Sequence, residues 1–103
     1  MQHPKHARLL FAVPNGGARN AVTGAILKAE GVVPGVADLF LLVPRNGYHG
    51  LAIEMKTKTG RQSDSQREWQ QEVEAQGYRY AVCRSVEGFI ETVEGYLADG
   101  KGR

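Results

Sequence analysis

Two charged side chains interrupt an apolar stretch, residues 49–56, whose side chains alternate as they would in a β-strand. Successive side chains of a strand point to opposite faces, so Glu54 and Lys56 leave the same face. Asp38 opens a second apolar stretch, residues 38–43, at a position where a hydrophobic residue would fit the pattern. If the two stretches pair as an antiparallel hairpin, Asp38 lies beside Glu54 and Lys56.

Two neighbouring carboxylates and a lysine suit the hydrolysis of a phosphodiester with the help of a divalent cation. Carboxylates about 4 Å apart repel each other by about 4 kcal/mol at an effective dielectric constant of about 20, so the pair needs a shared proton or a cation. Mg²⁺ prefers oxygen ligands and is commonly held by one or two carboxylates. The cation would activate water, and Lys56 would orient that water or stabilise the charged phosphate. A buried ion pair between an acid and Lys56, with a purely structural role, is the alternative.

Alternating strands and helices in the rest of the chain would hold these stretches in place. Apolar runs between turn signals predict strands over residues 9–13, 38–43, 49–56 and 78–83. Cap and stop signals with helical periodicity predict helices over residues 20–30, 63–76 and 86–97. An Asn-Gly turn joins the middle two strands as a hairpin. The order β-α-β-β-α-β-α predicts an α/β fold with a small mixed β-sheet flanked by helices.

Size and composition predict one globular domain over residues 1–103, with a frayed tail at 100–103. The chain is 42% hydrophobic and 23% charged, as ordinary globular proteins are. No apolar run approaches the roughly 18 residues of a membrane span, and the first residues lack the apolar core of a signal peptide. We therefore expect a cytoplasmic protein that does not enter a membrane. The single cysteine, Cys83, excludes an intrachain disulfide and is expected in the core.

Charge is unevenly distributed along the chain. Residues 1–29 contain four lysines and arginines and no acidic residue, whereas residues 63–103 contain eight acidic residues and five basic ones. A basic face steers a polyanion such as nucleic acid toward it. A solvated surface with uneven charge is the alternative interpretation.

Two loops carry candidate DNA contacts. In the first, glycines let backbone amides approach a phosphate, which an arginine can bind with two hydrogen bonds. Its residues are Asn15, Gly16, Gly17 and Arg19. In the second loop, Lys58 and Arg61 follow the predicted site at a point where the phosphates of a bound duplex would pass. A plain tight turn and a merely hydrated loop are the respective alternatives.

Several blocks of sequence, between about Leu9 and Leu97, carry a family resemblance. They are Phe11–Gly17, Lys28–Val32, Gly35–Asp38, Ile53–Lys56 and Ser63–Trp69. In this order and spacing the blocks resemble the PD-(D/E)xK nuclease superfamily, specifically the virus-type replication-repair nuclease (VRR-NUC) domain of phage type. An E-x-K tripeptide alone would be a weak signal, so the resemblance rests on the blocks together.

The resemblance implies a restriction-endonuclease-like core and a metal-dependent, structure-selective DNA endonuclease. Asp38, Glu54 and the main-chain carbonyl of Met55 would coordinate Mg²⁺ or Mn²⁺, and Lys56 would act on the nucleophilic water. Gln66 would reach into the site from a helix, although it also fits a capping box whose cap is Ser63. Similarity to Holliday-junction resolvases implies a homodimer that acts on branched DNA, in the bacterial host cytoplasm if a phage encodes the chain.

Two departures from the family pattern keep other functions open. The name-giving proline before the aspartate is Ala37 here, and no acidic residue precedes Glu30. Family members usually carry an acidic residue on a helix before the first strand, so this domain either relies on two carboxylates or lacks that front helix. A non-catalytic DNA-binding or recombination-accessory module that keeps the nuclease fold is the main alternative. A plain protein-interaction domain would leave the carboxylate pair unexplained.

Overall fold

The computed structural model describes residues 4–14 and 33–99. Its elements are a 3₁₀ helix (Pro4–Leu9), strands β1 (Leu10–Ala12), β2 (Leu39–Leu41) and β3 (Leu51–Met55), helix α1 (Asp64–Ala75), strand β4 (Arg79–Cys83) and helix α2 (Val86–Asp99). The strands form a sheet in the order β1-β2-β3-β4. Neighbouring strands are antiparallel except β3 and β4, which are parallel. The predicted small mixed sheet is therefore confirmed, as are its four strands and the last two helices.

Each of the first three strands is shorter than its predicted stretch, but main-chain pairing continues past the strand ends. The Leu42 amide donates to the Leu9 carbonyl at 3.0 Å, and the Val13 amide donates to the Asp38 carbonyl at 2.7 Å. The Lys56 amide likewise donates to the Cys83 carbonyl at 2.9 Å. The predicted helix over residues 20–30 lies outside the described residues.

A tight turn connects β2 to β3. Arg45 and Tyr48 exchange main-chain hydrogen bonds of 3.1 and 2.8 Å around Asn46 and Gly47. Both central residues have positive φ, 52° and 87°, which is the backbone that a two-residue hairpin turn requires and that Asn-Gly supplies. In the paired strands Leu39 lies opposite Ile53, so the residue before β2, Asp38, falls level with Glu54.

The two faces of the sheet bury different groups. Leu51 and Ile53 belong to the larger apolar cluster, which includes Val93, Tyr96 and Leu97 of α2. Cys83 lies in the same cluster, so its expected place in the core is confirmed. No helix among residues 4–14 and 33–99 has the length and apolar character needed to cross a membrane.

The opposite face carries a smaller cluster formed by Ala37, Ala52 and Tyr80. Trp69 and Val73 of α1 pack against it, so Trp69 is a core residue as its spacing suggests. Glu54 leaves β3 on this face as well, because it lies two residues beyond Ala52. We call this side of the sheet the α1 face and the other side the α2 face.

Candidate active site

Glu54 is a fully buried carboxylate, with a relative exposure of 0%. Its Oε1 atom accepts a hydrogen bond of 2.6 Å from the Tyr80 hydroxyl and one of 2.9 Å from the Gln62 side-chain amide. Its Oε2 atom has no hydrogen-bond partner within residues 4–14 and 33–99. The Lys56 Nζ atom lies 3.5 Å from Oε2, which is ion-pair range but longer than a good hydrogen bond. One oxygen of Glu54 thus accepts two hydrogen bonds, and the other faces Lys56 at ion-pair distance without one.

Asp38 is held against the end of β3 from the neighbouring strand. Its Oδ2 atom accepts a 2.7 Å hydrogen bond from the Met55 amide, and its own amide donates to the Ile53 carbonyl at 2.9 Å. A carboxylate can accept about four hydrogen bonds, so acceptor capacity remains on Asp38. The structure therefore brings Asp38 to the stretch of β3 that carries Glu54, where the hairpin pattern predicts it.

Gln66 helps to cap helix α1 and also contacts Lys56. Its side-chain Oε1 atom accepts a hydrogen bond from the Ser63 main-chain amide at 2.8 Å. The Gln66 main-chain amide donates to the Ser63 hydroxyl at 3.1 Å, which completes a capping box at the start of α1. The same Oε1 atom also accepts a 2.7 Å hydrogen bond from the Lys56 ammonium. One oxygen of Gln66 therefore accepts both the cap hydrogen bond and the hydrogen bond from Lys56. A role in the helix cap does not exclude the proposed role in the site.

Gly35 brings the loop before Asp38 against the first turn of α1. A Cβ atom at this position would lie 2.3 Å from the Ser65 carbonyl oxygen, and the backbone has φ +84°. Only glycine tolerates both conditions. Ala37, which replaces the family's proline, is 1% exposed and packs with Ala52. The loop thus fits its surroundings without the proline.

Arg84 lies immediately after β4, and its side chain donates hydrogen bonds to the loop that follows Lys56. Its Nη1 atom donates to the Thr57 carbonyl at 2.8 Å and to the Gly60 carbonyl at 2.7 Å. The side chains of Lys58 and Arg61, both candidate DNA contacts, are exposed on this loop. The other candidate contacts, Asn15, Gly16, Gly17 and Arg19, lie outside the described residues.

Sequence reasoning missed three residues of the site: Tyr80, Gln62 and Arg84. Burial, followed by the hydrogen bond to Glu54, raises the pKa of Tyr80 above its ordinary value, so its hydroxyl stays protonated and donates. In the sequence, Tyr80 is a tyrosine within a predicted strand. Its contact with Glu54 can be inferred only when β4 is known to pair with β3 so that Tyr80 lies level with Ala52. Gln62 and Arg84 lie outside regular elements and carry no pattern of their own.

The residues of the site suit a divalent cation with few protein ligands. Among residues 4–14 and 33–99 no group of three or more His, Cys, Asp or Glu side chains could hold a metal. The described residues before β1 form a 3₁₀ helix, Pro4–Leu9, without an acidic residue. The oxygen donors are therefore Asp38, Glu54 and main-chain carbonyls. Glu54 Oε2 is buried without a hydrogen bond, and the Lys56 ammonium approaches it only to 3.5 Å, so an anionic oxygen of the kind that binds Mg²⁺ or Mn²⁺ remains.

Residues 4–14 and 33–99 form a mixed four-stranded sheet with two α-helices, which is an α/β fold of the restriction-endonuclease-like class. A solved structure described as a VRR_NUC domain protein is similar, with a TM-score of 0.78 and 25% sequence identity over 92% of this chain and 72% of that chain. The family model of the VRR-NUC domain matches residues 3–87, and the chain belongs to this family of nucleases. No curated protein matches the sequence.

Family membership confirms the resemblance that the sequence blocks carry. Nucleases of this family act on DNA and generally use divalent metals.

Proposed function

We propose that this chain is a Mg²⁺- or Mn²⁺-dependent endodeoxyribonuclease that cuts branched DNA such as a Holliday junction. The main support is the unequal hydrogen bonding of the two carboxylate oxygens of Glu54. Two donors occupy its Oε1 atom, while the buried Oε2 atom faces Lys56 at 3.5 Å without a hydrogen bond. A purely structural ion pair would be expected to close this distance, because a buried charge is stabilised only by good hydrogen-bond geometry.

In this proposal Asp38, Glu54 and the Met55 main-chain carbonyl would hold the cation. When bound, the cation would activate a water molecule and offset negative charge on the scissile phosphate. Lys56 orients the attacking water and stabilises the charge that develops on the phosphate. Gln66 keeps the Lys56 ammonium in place through the 2.7 Å hydrogen bond. Lys56 is only 18% exposed, which strengthens its electrostatic effect relative to a lysine in water.

The proposed DNA contacts surround this centre. Lys58 and Arg61 extend from the loop that Arg84 fastens and would meet backbone phosphates. The segment with Asn15, Gly16, Gly17 and Arg19 is a second proposed phosphate contact. A homodimer would double the basic surface and match the two strands to be cut at a junction. If a phage encodes the chain, the protein would act in the cytoplasm of the bacterial host.

Cleavage assays with purified protein test this function. Wild-type protein with Mg²⁺ or Mn²⁺ is offered a four-way junction, a flap and a linear duplex, and the junction is expected to be cut fastest. Lys56→Ala is expected to lower the cleavage rate by about 10²-fold or more while junction binding persists. The matched control is Lys58→Ala, which is expected to weaken binding without removing the chemical step. Undiminished cutting by Lys56→Ala would contradict the proposed role.

A second candidate function is a DNA-binding or recombination-accessory module that retains the fold without cutting. Among residues 4–14 and 33–99 no third acidic side chain joins Asp38 and Glu54 in a group that could hold a metal, which favours it. Calorimetric titration with Mn²⁺, with and without junction DNA, separates the two functions. Junction binding without heat from millimolar metal and without cleavage would support the accessory role.

A further inference from the structure

Glu54 is held asymmetrically by two uncharged donors that approach the same oxygen. Tyr80 and Gln62 both donate to Oε1, although a carboxylate has two equivalent oxygens to share among its partners. Rotation of the carboxylate would break both hydrogen bonds at a site with 0% exposure, where water cannot replace them. The orientation of Glu54 is therefore fixed, with Oε2 directed toward Lys56.

Packing holds Tyr80 independently of Glu54. It lies in β4 level with Ala52 of β3, and its ring meets Trp69 of α1 edge-on at a centroid distance of 6.2 Å. The residue is 7% exposed, so the ring has little space to rotate. The hydroxyl is consequently a fixed donor to which the Glu54 side chain must adjust.

Gln62 is fixed by a second hydrogen bond. Its Nε2 atom donates to Glu54 Oε1 and also to the Gln70 Oε1 atom of α1 at 2.7 Å. Gln70 in turn donates to the Glu74 carboxylate one turn later, at 3.1 Å. This series of acceptors requires the NH₂ group of Gln62, rather than its oxygen, to face Glu54.

We propose that Tyr80 and Gln62 are positioning residues that hold Oε1 of Glu54 so that Oε2 alone is presented to the divalent cation. The inference rests on the proposed cation site at Asp38 and Glu54. Without the two donors the carboxylate is free to move closer to Lys56 and shorten the 3.5 Å distance to that of a closed ion pair, which competes with the cation. Partners that orient metal ligands typically change metal affinity or activity by about 10–100-fold.

Two tyrosine variants provide a matched test. Tyr80→Phe removes the hydroxyl that donates to Glu54 at 2.6 Å. Tyr96→Phe removes a buried hydroxyl of the α2 face that donates to the Val43 carbonyl at the same distance, 2.6 Å. Both variants lose a hydrogen bond of the fold, but only the first loses one to the proposed metal ligand. Mn²⁺ affinity is measured by calorimetry without DNA, and thermal unfolding is recorded for each protein.

Tyr80→Phe is expected to raise the Mn²⁺ dissociation constant by about 10-fold or more, and excess Mn²⁺ is expected to restore cleavage. Tyr96→Phe is expected to lower the melting temperature while its Mn²⁺ dissociation constant stays within about twofold of wild type, because its hydroxyl is remote from Glu54. Wild-type affinity in Tyr80→Phe, or an equal loss in both variants, would overturn the positioning role.

Gln62→Ala keeps the test decisive if Tyr80→Phe fails to fold, because Gln62 is only half-buried and precedes α1. It is expected to weaken Mn²⁺ binding in the same direction, and unchanged affinity would overturn the proposal. Wild-type protein that binds no Mn²⁺, or Glu54→Gln that binds it as wild type does, would instead refute the cation site. The two failures are therefore distinguishable.

Discussion

The two faces of the sheet share strand β3 but bury it in different ways. On the α2 face, Leu51 and Ile53 meet apolar side chains of α2, and the buried Tyr96 hydroxyl donates to a main-chain carbonyl. On the α1 face, Ala52 is followed by Glu54, and the buried Tyr80 hydroxyl donates to its carboxylate. One face lowers the free energy of the fold by removing apolar surface from water, whereas the other accepts a buried charge. A difference of this kind is typical of a site whose function opposes stability.

Substitution of the buried charge should produce the largest effect. Glu54→Gln is expected to abolish Mn²⁺ binding and to lower cleavage by about 10³-fold or more. Its melting temperature without metal is expected to equal or exceed that of wild type, because a neutral amide is less costly to bury than an incompletely paired carboxylate. Calorimetry, cleavage rates and thermal unfolding check the three expectations.

Ile53→Ala is the control for this comparison, since it changes the neighbouring residue of β3 on the α2 face. Ile53 is 0% exposed, so its truncation is expected to lower the free energy of unfolding by about 2–5 kcal/mol. The Mn²⁺ affinity of the folded protein should change little. A marked fall in stability for Glu54→Gln, or loss of metal binding for Ile53→Ala, would break the distinction between the faces.

Gly35 tests how the α1 face is assembled. Gly35→Ala places a Cβ atom 2.3 Å from the Ser65 carbonyl oxygen at φ +84°, so it is expected to lower the free energy of unfolding by about 2–4 kcal/mol. Gly47→Ala is the matched control, because φ is +87° there but no atom lies within 4 Å of the new Cβ. That variant is expected to lose only about 1 kcal/mol. Urea denaturation measures both values, and equal losses would show that the close approach to α1 is unimportant.

The smallest expected effect is a change of the free energy of unfolding with pH, caused by Tyr96 on the α2 face. Burial raises the pKa of Tyr96 above its ordinary value of 10.0, so the phenol ionises more readily in the unfolded chain. The free energy of unfolding is unaffected by ionisation of this group below pH 10. It falls as pH rises from 10 toward the pKa of the folded state, by less than about 1.4 kcal/mol per pH unit. Urea midpoints at pH 8 and pH 11 should differ less in Tyr96→Phe than in wild type. An identical pH dependence would argue against this assignment.

The features that were predictable from sequence are local ones. The alternation of residues 49–56 and the Asn-Gly turn are enough to pair β2 with β3 and to bring Asp38 level with Glu54, because both depend on neighbours in the chain. The capping box at Ser63 is similarly local.

Contacts that join distant segments could not be derived in this way. Tyr80 reaches Glu54 only because β4 pairs in parallel with β3, and a parallel register is set by packing across a long connection rather than by a turn. Arg84 and Gln62 belong to loops, where no periodicity identifies a functional side chain. The strand ends also differ from prediction, because only single main-chain hydrogen bonds continue the pairing where the apolar pattern still extends.

The single oxygen that Gln66 shares between Ser63 and Lys56 links the cap of α1 to the position of the lysine side chain. When the first turn of α1 opens, the cap and the hold on the lysine are released together, although the rest of the sheet remains intact. Such partial opening requires less free energy than global unfolding, so the proposed activity would be lost at temperatures where the core is still folded. The start of α1 is therefore where the proposed function would first respond to temperature.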